Sequence, residues 1–145
     1  MKMQKNLSYL LFTVSVLLIS CTQSQNDMRV PANPDILTGK WKIERFQEGL
    51  VNETSSFSGI LFQFENSGNF NVLKNQNLLT QGSWRLANNN LELIIDVPDF
   101  RNEEQAENRF GEDIYEIHDD WKIIEFSANK IRLKDGVEVF TLIRL

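Results

Sequence analysis

Residues 60–74 read ILFQFENSGNFNVLK. Ile60, Phe62 and Phe64 alternate with Leu61, Gln63 and Glu65. After Asn66-Ser67-Gly68-Asn69 the beat resumes, with Phe70 and Val72 set against Asn69 and Asn71. A side-chain period of two belongs to a strand with one face buried, and Asn, Ser and Gly are the residues that turn a chain back on itself. This stretch therefore predicts an antiparallel hairpin.

The same beat runs outward in both directions. Trp41 and Ile43 alternate with Lys40, Lys42 and Glu44, and Trp84 and Leu86 with Ser83 and Arg85. Beyond Asn88-Asn89-Asn90, the residues Leu91, Leu93, Ile95 and Val97 alternate with Glu92 and Asp96. Ile131 and Leu133 lead to a turn at Asp135-Gly136, after which Val139, Thr141, Ile143 and Leu145 alternate with Glu138 and Arg144. Strands are expected near 39–47, 58–65, 69–74, 80–87, 90–97, 113–118, 120–127, 129–134 and 137–144. Eight or nine strands in meander order favour an all-β, antiparallel up-and-down barrel, because closure removes the edge strands that would pair between molecules. A β-sandwich is the alternative. Two segments break the meander: 48–57, a loop, and 98–112, with room for a short acidic helix after Pro98.

The N-terminal residues read as an address rather than as fold. Lys2 and Lys5 precede an uncharged, mostly apolar run of 13 residues, Leu7–Ile19. That is short of the roughly 20 residues a membrane-crossing helix needs, and it reads as a secretory signal over 1–20. Leu18-Ile19-Ser20-Cys21 follows, and it resembles the lipobox of bacterial lipoproteins. The resemblance implies cleavage before Cys21 and lipid attachment to it. Cys21 is the single cysteine of the chain, so no intramolecular disulfide is available, and lipidation accounts for the lone thiol. Two or more acyl chains would hold the protein on a membrane without spanning it. Residues 21–35 are polar, contain Pro31 and Pro34, and read as a tether. Thr22 is not the aspartate that retains some lipoproteins at the inner membrane, so the expected address is the outer membrane, facing the periplasm.

Residues 36–145 are expected to form one domain, able to bury roughly 65% of its unfolded surface. Removing Lys2 and Lys5 takes the formal net charge from −5 to −7. An acidic chain without clustered Lys and Arg is ill suited to nucleic acid or to lying flat on anionic lipid. Eight acids against Arg109 between Glu103 and Asp120 read as a solvated face.

Leu37-Thr38-Gly39-Lys40-Trp41 looks like the Gly-x-Trp signature of lipocalins. The wider order of lipobox, tether and Gly-x-Trp, Phe-x-Phe and Gly-x-Phe strands resembles the small lipocalin-like lipoproteins of bacteria. The resemblance implies that Gly39 gives a tight entry and that Trp41 closes the barrel floor under an arginine, Arg144 or Arg132. It further implies a cavity for a small hydrophobic ligand, lined by Trp41, Phe62, Phe64, Phe70, Trp84, Leu93 and Ile95. In the competing case those side chains fill the barrel, and the protein acts as an envelope interaction module through 48–57 or 98–112.

The three tryptophans recur as GKWKI (39–43), GSWRL (82–86) and DDWKI (119–123). The expectation is three strands starting at equivalent ends of the sheet, with a three-ring carbohydrate platform as the rival. Enzymatic chemistry finds little footing. His118 is the single histidine, and no nucleophile elbow, phosphate loop, zinc helix or calcium loop occurs. Neighbouring acids such as Asp119 and Asp120 point to opposite faces on a strand. The expectation is a non-catalytic protein with no metal and no cofactor.

Overall fold

The computed structural model describes residues 31–111 and 113–145; Cys21 and the lipobox lie outside the described residues. Nine antiparallel strands form one sheet: β1 (Gly39–Glu48), β2 (Val51–Asn52), β3 (Ile60–Phe64), β4 (Asn69–Lys74), β5 (Asn77–Ala87), β6 (Glu92–Asp96), β7 (Asp120–Phe126), β8 (Lys130–Asp135) and β9 (Glu138–Arg144). Because β9 also pairs with β1, strands β1 and β3–β9 close into an eight-stranded barrel. The two-residue β2 hangs outside the ring on β1. This is the all-β, lipocalin-like meander barrel.

Direction follows from the antiparallel order. The end holding Gly39, the 64–69 and 87–92 turns and Arg144 is called the floor; the end holding Glu48, Asn75 and Gly136 is the mouth. Two insertions lie at the mouth. One is β2 with a 3-10 turn, Thr54–Phe57; the other runs from β6 to β7 through a 3-10 turn at Pro98–Phe100, helix α2 (Glu103–Phe110) and a third 3-10 turn at Ile114–Ile117. Phe57, Phe100, Ala106, Phe110, Ile114 and Ile117 are all buried. The segment expected as a loop and the one expected to hold a short acidic helix, present as α2, together form an apolar cap.

The domain starts earlier than position 36. Ala32 is buried, and its N–H donates to the Asn90 carbonyl at 2.9 Å. Asn33 caps a short helix α1 (Pro34–Leu37), its side chain accepting from the Asp35 N–H, and Leu37 is fully buried.

Three local expectations change. Residues 113–118 are not a strand: Ile114 and Ile117, three apart and both buried, mark one face of a helical turn. In β9 the inward set is Phe140 and Leu142, both fully buried, not Val139, Ile143 and Leu145. A one-residue error of phase exchanges the two faces of a strand. The tryptophan echoes also do not mark equivalent ends. Trp41 opens β1 at the floor, Trp121 opens β7 at the mouth, and Trp84 lies toward the floor end of β5. Two of them share one device. The Trp41 and Trp121 indoles donate to the carbonyls of Leu37 (2.8 Å) and Ile117 (3.0 Å), each the last residue of a short helical turn four positions earlier. Both rings are fully buried, so a three-ring platform open to carbohydrate does not exist.

The glycine of GSWRL has its own cause. A Cβ on Gly82 would fall 2.1 Å from the Asp96 carbonyl oxygen and 2.8 Å from Val97 Cα, which is backbone on both counts. β5 and β6 approach this closely only over a glycine.

Candidate functional site

At the floor the structure brings Gly39, Trp41 and Arg144 together. Trp41 and Arg144 are cross-strand partners, and the guanidinium lies 4.7 Å over the indole. The same guanidinium donates to the carbonyls of Thr38 (2.9 Å), Ala128 (2.8 Å) and Ile36. Arg144 therefore ties the α1 entry and the β7–β8 turn to one ring face; a planar cation with a fork of donors suits that task. Gly39 has φ +135°, and a Cβ there would sit 2.7 Å from Arg144 Nη1. Arg132 lies elsewhere, on β8 beside Glu125 at 3.7 Å.

Inside the barrel, Phe62, Phe64, Phe70 and Trp84 belong to a continuous aromatic column. From mouth to floor, ring centroids run Phe57–Phe140 5.2 Å, Phe140–Phe62 6.4 Å, Phe62–Phe70 5.4 Å, Phe70–Phe64 5.0 Å and Phe64–Trp84 5.7 Å. Phe46 stacks on Phe140 at 4.2 Å, and Trp121 meets it edge-on at 5.1 Å. Leu93 and Ile95 join the same cluster from β6. Trp84 is only half-buried, its indole held by the Glu65 carbonyl at 2.9 Å.

Phe46, Phe57, Phe140 and Trp121 were not among the cavity candidates from sequence. A β-bulge between Ile43 and Arg45 explains the first. It shifts the inward set of β1 from odd to even positions, so that Phe46 rather than Arg45 or Gln47 faces the core. Phe57 was hidden in a segment without strand periodicity.

An open cleft lies outside the barrel, on the cap. It holds about 450 Å³ between Asp96, Phe100 and Arg101 on one side and Tyr115, Glu116 and His118 on the other, within the usual range for ligand pockets. Its polar groups largely satisfy one another. Arg101 grips the Asp96 carboxylate through two nitrogens at 2.6 and 3.2 Å, and holds it below the usual aspartate range. His118 Nδ1 accepts the Val97 N–H at 2.9 Å. That nitrogen is thus committed to backbone, and its 3.6 Å approach to Asp96 is too long for a hydrogen bond. Burial, reinforced by Glu116, pushes the Tyr115 hydroxyl up to about 12. Among the described residues no group of three or more His, Cys, Asp or Glu is placed to hold a metal ion.

Carboxylates also crowd the neighbouring rim. Burial first, then Glu116, Glu48, Asp119 and Asp135, raise Glu138 to about 7. Glu116 is raised as well, chiefly by burial. The native state therefore keeps a proton that the unfolded chain releases near the ordinary value of 4.5. By linkage, the contribution of Glu138 to stability is fullest below that value and is lost as pH rises through about 7. Urea midpoints at pH 5 and pH 8 check this: wild type is expected to unfold more easily at pH 8, and Glu138→Gln to narrow the difference.

No family model matches the chain, and no curated protein matches it. Two solved structures do. One is a lipocalin-like protein from Bacteroides uniformis, 21% identical, covering 76% of this chain and 99% of that one with a TM-score of 0.54. The other is an uncharacterized protein from Bacteroides eggerthii, 19% identical, covering 75% and 99% with a TM-score of 0.51. At such identities the likeness is one of fold: this chain folds as a lipocalin-like barrel.

Proposed function

We propose that the protein is a non-catalytic, lipid-anchored envelope protein whose barrel is a filled scaffold and whose binding takes place on the outside. The observation that carries this reading is the aromatic column from Phe57 to Trp84, which occupies the barrel from mouth to floor beneath a buried cap. Eight-stranded barrels are at the size where side chains fill the interior or leave room for one small ligand, and the rings from Phe57 to Trp84 favour the first. The anchor rests on Cys21 after the Leu18-Ile19-Ser20 run, and the outer membrane facing the periplasm is the proposed address. The second reading is a carrier of a small apolar molecule, favoured by the lipocalin-like fold; it requires the Phe57 cap to lift and the column to repack.

The test is native mass spectrometry of the full chain after gentle extraction from membranes. The expected spectrum is the acylated protein alone. A stoichiometric, non-covalent apolar adduct would establish the carrier. In the same cells, Cys21→Ser is expected to move the protein out of the acylated membrane fraction; unchanged, detergent-dependent extraction would overturn lipid attachment.

A further inference from the structure

Three large apolar side chains stand in solvent side by side at one rim. Leu50, at the tip of the β1–β2 hairpin, is 101% exposed, Val51 beside it 55%, and Val137 in the β8–β9 turn 65%. The two turns touch, since the Gly49 N–H donates to the Val137 carbonyl at 3.0 Å. Scattered exposed apolar residues are ordinary, but adjoining ones on turns that are hydrogen-bonded to each other mark a contact surface.

The same turns carry a row of carboxyl groups, which repel one another as they ionise. Glu48 and Glu138 are cross-strand partners in the β1–β9 ladder, and Glu138 and Asp135 are partners in β8–β9. Like charges set directly opposite one another destabilise a sheet. Among the described residues none of these three carboxylates forms an ion pair. A cation supplied from outside would relieve the repulsion, and it would arrive beside an apolar patch.

Orientation narrows the occupant. The chain enters the barrel through Ala32 and α1 beside Gly39, whereas this rim is at the other end of the ten-residue β1, about 30 Å away at strand rise. The described chain therefore meets the barrel at the end opposite the patch. An anionic lipid surface would also be repelled by the carboxylates. A small molecule would find no enclosing wall around a hairpin tip as exposed as Leu50.

The geometry points to a docking site for a basic, amphipathic segment of a partner protein. Its apolar side chains lie against Leu50, Val51 and Val137, and its lysines or arginines sit among Glu48, Asp135 and Glu138. This rests on the reading that binding happens outside a filled barrel, and it names the partner's chemistry.

The test uses the full-length protein in discs of zwitterionic lipid, with empty discs as background. The probe is a fluorescent 12-residue peptide of leucine and lysine, followed by anisotropy at physiological salt. Saturable binding is expected. Leu50→Ser with Val137→Ser should weaken it at least fivefold, and Glu48→Gln with Glu138→Gln by a similar factor. All four positions lie at the rim, and circular dichroism verifies that the variants remain folded. A dodecalysine peptide should bind more weakly and be insensitive to the serine pair. No saturable excess over empty discs, or equal affinity for wild type and the serine pair, would overturn the proposal. So would adhesion of the protein to anionic vesicles that the serine pair abolishes. A failure here accompanied by an adduct-free native mass leaves the filled barrel standing, so the two ideas fail separately.

Discussion

Trp41→Ala is expected to lower the melting temperature by roughly 12–20 °C, the equivalent of about 3–5 kcal/mol for a buried aromatic removed from a domain of this size. The indole is fully buried, and three groups depend on it at once. The Leu37 carbonyl loses its donor at 2.8 Å, and Arg144 loses the ring 4.7 Å beneath it. The α1 entry, tied through Arg144 to Thr38 and Ile36, then rests on less. Trp41→Phe separates the contributions by keeping a ring under the cation and discarding the N–H. Its loss should be well below half that of the alanine. Trp84→Ala is the control, since its ring is only half-buried, and a smaller drop is expected. Thermal scans followed by circular dichroism read all three. A Trp41→Ala protein that melts within 3–4 °C of wild type, a shift under about 1 kcal/mol, would remove Trp41 from the floor.

What could be seen in the sequence follows from where the chain kept its beat. The β3–β4 hairpin was legible because alternation runs unbroken from Ile60 to Phe64 and from Phe70 to Val72, with Gly68 at φ +86° in the turn between. β1 was legible only as far as Ile43, since a bulge resets the phase and no local residue type announces it. β9 failed for a different reason. Val139, Phe140, Thr141, Leu142 and Ile143 are apolar or β-branched on both faces, so the choice of inward set falls to its partners. Phe46 opposite Phe140 and Trp41 opposite Arg144 make that choice, and both are tertiary. The cap was illegible because its apolar residues, Phe57, Phe100, Ile114 and Ile117, are scattered over short turns with no period long enough to read. Those same residues separate a filled barrel from an open one, which explains why the state of the interior was not legible.

Phe140→Ala decides that state by opening the barrel on purpose. Phe140 is fully buried and touches Phe46, Phe57, Phe62 and Trp121 with ring centroids 4.2–6.4 Å away. Truncating it is expected to remove about 3–5 kcal/mol of stability, part of it from the cavity that the surrounding rings cannot close. A dry, apolar cavity of that size accepts a small aromatic molecule. Saturating benzene or indole should therefore return part of the lost melting temperature, because a ligand that binds only the folded state stabilises it by mass action. Wild type under the same vapour should not respond, since the column leaves the ligand no place to enter. The opposite pattern, with wild type stabilised by an apolar ligand and Phe140→Ala responding no more strongly, would mean that the native barrel already holds accessible space. In that case the rings from Phe57 to Phe64 would be pocket walls able to part, and the carrier reading would replace the scaffold.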